Sequence, residues 1–314
     1  MTSPPHTLPV PLCPCTGEQA VRLVQTVPAR LLVELWRRVL GADVRSSFGD
    51  VRRFGLWESP TGLYFFDPPV EGDAVFYQSF YRNRTLRRHL EDPDRSEFRQ
   101  AATHVGSGDR VLDVGCGFGP FRHHVPQARY LGLDPHFAGA NGEEWARRES
   151  LADHLRTHAA HYDVATAFQV MEHLADPLSF LTDLGRAVRP GGKVLVGVPH
   201  VGGAHTMIPN YLINAVPHHL TWWTRDALAE AATRSGLRPV AFSLADWSRS
   251  DVIVYWMSRL SPIRCRSVHY RHSWAWHAST VWAGLAAQVA ARLMPLPRPG
   301  QDSGLSMLMV AERV

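Results

Sequence analysis

Residues 111–119 read Val-Leu-Asp-Val-Gly-Cys-Gly-Phe-Gly, a short apolar run that ends in three alternating glycines. Glycine tolerates a positive backbone φ and lets a ligand approach the main chain closely, and a helix that follows such a turn offers free N–H groups. A second apolar run ends at Asp134, 21 residues after Asp113. A carboxylate at that distance is placed to bind both hydroxyls of a ribose. The spacing therefore predicts a strand, a glycine turn that binds a ligand, and a second strand that ends in a ribose-binding acid.

The glycine spacing differs from the fingerprint of dinucleotide-binding proteins. That fingerprint requires Gly or Ala three residues after Gly117, where this chain has Pro120. An NAD-dependent oxidoreductase, and a sheet of the same kind that binds no cofactor, are therefore alternatives that the pattern does not favour.

Short apolar runs alternate with helical segments from residue 105 to residue 245, and such alternation predicts βαβ units and a parallel sheet. The apolar runs are RVLDVG (110–115), YLGLD (130–134), YDVATAF (162–168), GKVLVGVP (192–199), LRPVAFSL (237–244) and, at the end of the chain, LSMLMVAE (305–312). A helix is predicted at 28–40, a hairpin within 44–68, and a helix from Pro177 that ends at Arg189-Pro190-Gly191-Gly192.

Five motifs in register resemble class I S-adenosylmethionine-dependent methyltransferases. They are DVGCGFG (113–119), LGLD (131–134), YDVATAFQVMEHLADP (162–177), RPGGKVLVGVP (189–199) and VPHHLTWWTRDALAEAATRSGL (216–237). The resemblance implies an α/β fold, a Rossmann-like doubly wound sheet of seven strands whose last strand is antiparallel. It also implies S-adenosylmethionine as the cofactor.

The resemblance implies three regions and a set of cofactor-binding residues. Residues 1–75 form an N-terminal segment on the substrate side, 76–245 and 305–314 form the core, and 246–304 form a helical, Trp-rich cap. The methionine part of the cofactor would lie over the glycine turn, the ribose on Asp134, and the adenine near residues 150–151 and 168–169. The implied positions are Asp113, Gly115, Cys116, Gly117, Gly119, Asp134, Pro135, Ser150, Leu151, Phe168 and Gln169, with Tyr81 as a lid beside the arginine run that begins at Arg82.

Two loops rich in histidine follow predicted strands, at the edge where parallel sheets collect their ligands. Methylation of a hydroxyl requires removal of its proton, and histidine is suited to that role near neutral pH. We therefore expect His173, or one of His218 and His219, to be the catalytic base. The alternative is that Glu172 and His173 only hold a lid in place through hydrogen bonds.

A magnesium site is a second interpretation of the same stretch. The ubiquinone-pathway O-methyltransferases and a small-RNA 2′-O-methyltransferase resemble it, but they read Glu-x-x-Glu-His and hold Mg²⁺ there. In this chain Gln169 replaces the first glutamate and leaves Glu172, His173 and His218. Because Mg²⁺ prefers oxygen ligands, the loss of a carboxylate weakens such a site. We expect no metal and keep Mg²⁺ as the alternative.

Composition narrows the class of protein and its partners. The chain has 314 residues, is 45% hydrophobic and 20% charged, and carries a formal charge of +4, which is typical of a globular protein. This small surplus fits an anionic ligand and gives no reason to expect a nucleic-acid partner. Four cysteines are too few for a disulfide scaffold. With no secretory signal and no apolar run of membrane-spanning length, a cytoplasmic location is expected.

The N-terminal segment and the cap, which are predicted to border the acceptor site, each resemble more than one kind of structure. TGLYFFDPP (61–69) resembles the segment that follows a zinc ribbon in a subgroup of these methyltransferases, but Cys13 and Cys15 have no second pair, so the ribbon is expected to be degenerate and metal-free. The cap, with five Trp, fits a buried helical hairpin best. It also fits a pocket for a flat or greasy acceptor, or peripheral contact with a membrane, although Gln288 and Arg292 interrupt its apolar run.

Together these features predict a S-adenosylmethionine-dependent methyltransferase of a small molecule, acting at oxygen, with the acceptor between the N-terminal segment and the cap. An RNA methyltransferase and a non-catalytic cofactor-binding partner protein are the alternatives. Nitrogen and carbon acceptors, the identity of the acceptor and the oligomeric state are left open, because the fold alone does not determine them.

Overall fold

A computed structural model describes residues 8–80, 82, 95–135, 144–248, 251–295 and 304–314. Its strands are β1 (Arg22–Pro28), β2 (Arg53–Glu58), β3 (Tyr64–Asp67), β4 (Arg110–Val114), β5 (Arg129–Leu133), β6 (Ala146–Arg147), β7 (Tyr162–Phe168), β8 (Val188–Pro199), β9 (Thr221–Trp222), β10 (Leu237–Leu244) and β11 (Ser306–Arg313). Its α-helices are α1 (Ala29–Leu35), α2 (Arg45–Phe48), α3 (Ala74–Phe80), α4 (Ser96–Ala102), α5 (Leu151–His158), α6 (Pro177–Ala187), α7 (Arg225–Arg234), α8 (Val252–Leu260) and α9 (Trp274–Leu293).

The large sheet has seven strands in the order β10-β11-β8-β7-β4-β5-β6. The pairs β4–β5, β4–β7, β5–β6 and β7–β8 are parallel. Strand β11 lies antiparallel between β8 and β10. This topology confirms the predicted doubly wound α/β sheet with an antiparallel last strand.

The parallel strands bring the predicted site residues to one edge of the sheet. The glycine turn follows β4, Asp134 follows β5, Gln169 follows β7 and His200 follows β8. Because neighbouring parallel strands end at the same edge, these four segments meet at the carboxyl side, where α/β proteins bind ligands.

A second, antiparallel sheet joins the N-terminal segment to the core. Its order is β1-β2-β3-β9, and it contains the predicted hairpin as β2 and β3. Strand β9 pairs with β3, so that Tyr64 lies opposite Trp222. The fully buried Trp36 donates from its indole N–H to the carbonyl of Val216, at 2.9 Å. The N-terminal segment is therefore held on both sides of the loop that carries His218 and His219.

The predicted end is correct for the first helix, at residues 28–40, and wrong for the helix that begins at Pro177. Helix α1 continues as a π-helical turn through Leu40, and Gly41 ends it with a φ of +69°. The helix expected to end at Arg189 stops at Ala187 instead, and β8 begins at Val188. The Nε of Arg189 donates to the carboxylate of Asp163 on β7, at 2.7 Å, which draws this segment onto the sheet rather than into the helix.

The cap consists of α8 and α9, which pack against each other. A Cβ built at Gly284 of α9 would lie 4.0 Å from the Cε of Met257 on α8. The two helices pack as a hairpin, but it is not the buried hairpin expected from the sequence, because one face of α9 is exposed. Within the described residues, no helix combines the length and the apolar character needed to cross a bilayer.

Candidate functional site

The glycine turn after β4 is held against the end of β5. The main-chain N–H groups of Gly115 and Cys116 both donate to the carbonyl of Leu133, at 2.7 and 3.2 Å. Gly115, Gly117 and Gly119 have φ values of +72°, +52° and +64°, which residues with a Cβ rarely adopt. The alternating glycines are therefore required by the backbone of the turn itself.

Each of these glycines has different surroundings. A Cβ at Gly115 would lie 2.5 Å from Cγ2 of Val170, and one at Gly119 would lie 2.3 Å from the ring of Trp145. A Cβ at Gly117 would meet no atom within 4 Å. The turn is thus packed at both ends and open in the middle, so its main chain at Gly117 is accessible to a ligand.

Asp134 is placed as predicted, beside the open part of the turn. The N–H of Gly117 donates to its Oδ2 at 3.0 Å, and the half-buried Asp134 follows directly on β5. Pro135 is exposed, and its carbonyl accepts from Arg148 at 3.2 Å. The turn and the acid therefore form one connected unit, which fits a ligand that presents hydroxyls next to Gly117.

The helix expected after the turn is shorter than the sequence suggested. Pro120–His124 form a 3-10 helix of five residues, and Pro120 has no N–H to offer. Cys116 is buried, which raises the pKa of its thiol, and it packs against Gly132. Ligand binding at this turn must consequently rely on the glycine main chain rather than on a helix end or a thiolate.

Asp113 lies below the turn rather than in it. It is 3% exposed and accepts hydrogen bonds from the Tyr130 hydroxyl at 2.6 Å and from the Thr166 hydroxyl at 2.8 Å. Burial raises the pKa of Asp113 to about 6, against the opposing effect of these two hydrogen bonds. The carboxylate thus ties β4 to β5 and β7 and supports the turn from beneath.

The four residues predicted near the adenine are in different surroundings. Ser150 caps α5 through a hydrogen bond from the N–H of Asp153, and Leu151 is buried in the first turn of that helix. The third strand is only Ala146–Arg147, because Ser150 starts the helix so soon after it. Phe168 is buried between Phe98 and Phe121, with ring centres 5.0 and 4.9 Å away.

Gln169 ends β7 and binds two side chains that the sequence did not associate with it. It has a φ of +57°, and its amide donates to Glu97 at 3.2 Å and to the Ser306 hydroxyl at 3.1 Å. Glu97 comes from α4 and is 2% exposed, and it also pairs with Arg95 at 3.2 Å. Burial raises the pKa of Glu97 against the opposing charge of Arg95. The sequence pattern did not mark this residue, because its burial is decided by contacts with residues distant in the chain.

Trp145 and Arg122 complete the wall of the glycine turn and were also missed. The Arg122 guanidinium stacks over the Trp145 ring at 4.1 Å and donates to the carbonyls of Phe118 and Gly119, at 3.0 and 3.3 Å. Trp145 is half-buried. This pair fixes the far side of the turn and presents an aromatic surface there.

The three predicted histidines meet in one cluster. Their ring nitrogens approach so that one ligand atom from each of His173, His218 and His219 lies within 4.8 Å of the others. Oε1 of Glu172 lies 3.9 Å from Nε2 of His173 and 4.0 Å from Nε2 of His219. Among the described residues, neither oxygen of the fully buried Glu172 has a hydrogen-bond partner.

Electrostatics keep this cluster uncharged near neutral pH. Burial raises the pKa of Glu172 to about 8 and lowers the pKa of His173 to about 4. Burial also lowers the pKa of His218 and of His219 well below the usual range, and the neighbouring histidines add to that effect. Four ionisable groups are thus packed together as a protonated carboxyl and three neutral imidazoles.

The hydrogen bonds distinguish the three histidines. Nδ1 of His173 donates to the carbonyl of His218 at 2.5 Å, and Nδ1 of His218 donates to the carbonyl of Ile213 at 3.0 Å. A carbonyl only accepts, so the neutral rings carry their lone pairs on Nε2. The His173 side chain is 22% exposed, whereas His219 is buried and His218 packs 4.6 Å from the Phe80 ring. His173 is therefore the member that solvent can reach.

Magnesium does not fit this set of donors. The cluster offers one carboxyl group and three imidazoles as donors. Mg²⁺ prefers oxygen ligands, whereas first-row transition ions accept nitrogen. The residue at the missing carboxylate position, Gln169, uses its amide to bind Glu97 and Ser306.

A cavity of about 240 Å³ lies beside the cap. It is lined by Gly202, Ala204, Met207, Trp247, Tyr255, Ser258, Arg259 and Arg264. It therefore lies between α8 and the loop that follows β8, next to His205. His205 is buried, and burial lowers its pKa to about 3. Tyr81 and the arginine run after Arg82 lie outside the described residues, so the predicted lid stays a prediction.

Comparisons with known proteins identify a family and several relatives of the chain. The model of a family described as "Methyltransferase domain" matches residues 77–241. The chain is 28% identical over 171 residues to the ubiquinone biosynthesis O-methyltransferase of Rhizobium johnstonii, covering 50% of this chain and 65% of that protein. It is 29% identical over 126 residues to the protein of the same name from Salmonella enteritidis, covering 35% of this chain and 52% of that protein. A solved structure described as a SAM-dependent methyltransferase from Archaeoglobus fulgidus is 15% identical, with a TM-score of 0.46, and covers 76% of this chain and 100% of that chain.

Proposed function

Because the chain belongs to the methyltransferase-domain family, we propose that it transfers the methyl group of S-adenosylmethionine to a hydroxyl of a small molecule. One contact carries the proposal: Gly115 of the glycine turn packs on Val170, and the histidine cluster begins three residues after Val170. A ligand on the turn and an acceptor beside His173 would therefore be neighbours.

The glycine turn fits the cofactor. When bound, S-adenosylmethionine would supply a methyl carbon that the acceptor oxygen attacks in line, with S-adenosylhomocysteine as the leaving group. Gly117 offers main chain with open space beside it, and the N–H that it donates to Asp134 fixes the carboxylate at this opening. In the proposed complex Asp134 accepts hydrogen bonds from the two ribose hydroxyls, and Arg122 with Trp145 closes the far side of the turn.

His173 is the proposed base, and His218 and His219 position it. The lone pair on Nε2 of His173 accepts the proton of the acceptor hydroxyl, while its Nδ1 stays bound to the carbonyl of His218. Holding two reactants in line is itself a large source of rate enhancement, so the base has to supply only part of it.

Glu172 is the group proposed to offset a positive charge on His173. Protonation of His173 creates an imidazolium in a buried cluster, which is costly unless an opposite charge is near. Oε1 of Glu172 lies 3.9 Å from Nε2 of His173 and would supply that charge only in its ionised form, which its pKa of about 8 makes the major form in alkaline solution. The raised pKa of Glu172 thus makes His173 a stronger base above about pH 8 than near neutral pH.

The acceptor is proposed to enter between the N-terminal segment and the cap. The 240 Å³ cavity beneath α8 would offer space on the cap side only: Trp247 and Tyr255 line one wall and the loop after β8 lines the other, and its lining includes no residue of the N-terminal segment. In the N-terminal segment, Cys13 and Cys15 are buried side by side, with the N–H of Cys15 at 3.5 Å from Sγ of Cys13. We propose that this turn is a metal-free remnant of a ribbon. All four cysteines are free thiols, which supports the predicted cytoplasmic location.

The experiment is a transfer assay with S-adenosylmethionine that carries a labelled methyl group. The full chain is offered separate sets of phenols, aliphatic alcohols, amines and a bulk transfer RNA, and product is detected by label and by mass. We expect label in one or more hydroxyl compounds together with stoichiometric S-adenosylhomocysteine. Label in RNA, or cofactor binding without label in any set, would overturn the proposal.

A further inference from the structure

Helix α9 exposes an apolar face that no described part of the chain covers. Trp274, Trp282 and Leu285 are 84%, 60% and 60% exposed. Val281, Val289 and Leu293 are more than half exposed as well and recur at helical spacing. The opposite face is buried through the small residues Ser279, Ala283, Ala287 and Ala290. The large side chains of this helix thus point outward, the reverse of an ordinary surface helix.

The segment that contains this face is strongly basic. Residues 252–295 hold five arginines and no Asp or Glu, so this segment alone carries more positive charge than the +4 of the whole chain. All five are exposed: Arg259, Arg264, Arg266, Arg271 and Arg292. Arg271 lies three residues before Trp274, and Arg292 lies in the last turn of α9. Positive charge therefore stands at both ends of the apolar stripe.

We propose that α9 docks on the surface of an anionic phospholipid bilayer. The helix would lie in the plane of the interface, with the two tryptophans at the boundary between headgroups and acyl chains, where Trp is enriched. The arginines would lie among the anionic headgroups, since their long stems let the charge reach the polar layer. A twenty-residue helix lies flat on such a surface over about 30 Å, and it is too polar to cross it.

A second copy of the chain fits this face less well. In a two-fold contact the same patch meets itself, so the arginines at the ends of one stripe would face arginines of the other. Like charges at an interface cost free energy, and this segment holds no carboxylate to compensate them. An anionic lipid surface satisfies both the apolar stripe and its charged ends.

The test is flotation of the full chain with vesicles of phosphatidylcholine alone and of phosphatidylcholine mixed with phosphatidylglycerol. We expect the partition coefficient to be about tenfold higher for the mixed vesicles and to fall as salt rises. For the double variant Trp282→Ser/Leu285→Ser, the partition coefficient should be about tenfold lower than for the wild type. Arg271→Gln/Arg292→Gln should lose the preference for the anionic vesicles.

A matched control replaces two exposed valines elsewhere, as Val39→Ser/Val240→Ser. Both lie outside the cap and are about half exposed. This variant should bind like the wild type, and circular dichroism should show that all variants are folded. The proposal would be overturned if the chain bound both vesicle types equally, or if the control variant lost as much binding as Trp282→Ser/Leu285→Ser. It would also be overturned if the chain bound no vesicles and instead formed a dimer that Trp282→Ser/Leu285→Ser dissociates.

Discussion

Gly115 and Val170 are in such close contact that a Cβ built on Gly115 would lie 2.5 Å from Cγ2 of Val170. Gly115 belongs to the turn after β4, and Val170 lies between the end of β7 and the short helix Met171–His173. The contact therefore joins the proposed cofactor cradle to the segment that carries Glu172 and His173. A displacement on one side of it must be felt on the other, because protein interiors are densely packed.

Gly115→Ala should destabilise the protein by about 2–4 kcal/mol, from a positive φ and from the clash with Val170. The double variant Gly115→Ala/Val170→Ala should recover part of that loss, because it removes the obstructing methyl groups. Thermal unfolding of the two single variants and the double variant measures the interaction.

Gly41→Ala is the matched control for this cycle. Gly41 has a φ of +69°, but a Cβ there would meet no atom within 4 Å. It should cost only the backbone strain, about 1 kcal/mol. If Gly41→Ala is as destabilising as Gly115→Ala, or if Val170→Ala gives no recovery, the contact does not constrain the turn.

His173→Ala should lower kcat by about a hundredfold or more, since general base catalysis contributes on that scale. The affinity for S-adenosylhomocysteine should stay unchanged, because His173 acts on the acceptor. His161→Ala, on an exposed residue at the amino end of β7, serves as the control and should keep full activity. Unchanged turnover in His173→Ala removes this residue from catalysis.

Glu172→Gln should change how stability depends on pH. The native pKa of Glu172, about 8, lies above its unfolded value, so the native state binds the extra proton. Its stabilising effect is complete at low pH and is lost as pH rises through about 8. From about pH 7.5 upward the histidines are largely neutral in both states, because the pKa of an unfolded histidine is about 6.5. There the wild type should lose stability relative to Glu172→Gln, as measured by denaturant unfolding, whereas parallel curves would contradict the buried, protonated carboxyl.

Removal of metal should leave the enzyme active. The donor set suits Mg²⁺ poorly, and the proposed proton transfer to His173 involves no metal. Dialysis against EDTA should therefore leave the methyl-transfer rate unchanged, and added Mg²⁺ should not raise it. If EDTA abolished the activity and Mg²⁺ restored it, another residue would have to supply the carboxylate that is lost where Gln169 replaces glutamate.

The sequence predicted those features that depend on local pattern and on chain order. Alternating apolar and helical segments gave the sheet, and the ends of its parallel strands placed Gly117, Asp134 and His173 at one edge. The turn at Gly115–Gly119 was predictable because only glycine accepts its backbone. These features need no knowledge of distant contacts.

Side-chain partners across the fold could not be read in this way. Glu97 reaches Gln169 from a helix 72 positions earlier in the chain, and Asp113 proved to support the turn because Tyr130 and Thr166 take up its oxygens. Helix α6 ends at Ala187, earlier than predicted, because Arg189 binds Asp163 on a neighbouring strand. Each of these outcomes is decided by tertiary packing, which overrides local propensity.

Calorimetric titration of the full chain with S-adenosylhomocysteine measures whether the turn at Gly117 and the carboxylate of Asp134 form the proposed binding site for S-adenosylmethionine. We predict one-site binding that Asp134→Ala weakens by about 3 kcal/mol, roughly a hundredfold in Kd, through loss of two charge-assisted hydrogen bonds. Asp183→Ala, which removes a half-buried carboxylate paired with Arg186 on α6, should bind like the wild type. An absence of heat with this ligand, in a protein that takes up a nicotinamide dinucleotide instead, would contradict the account.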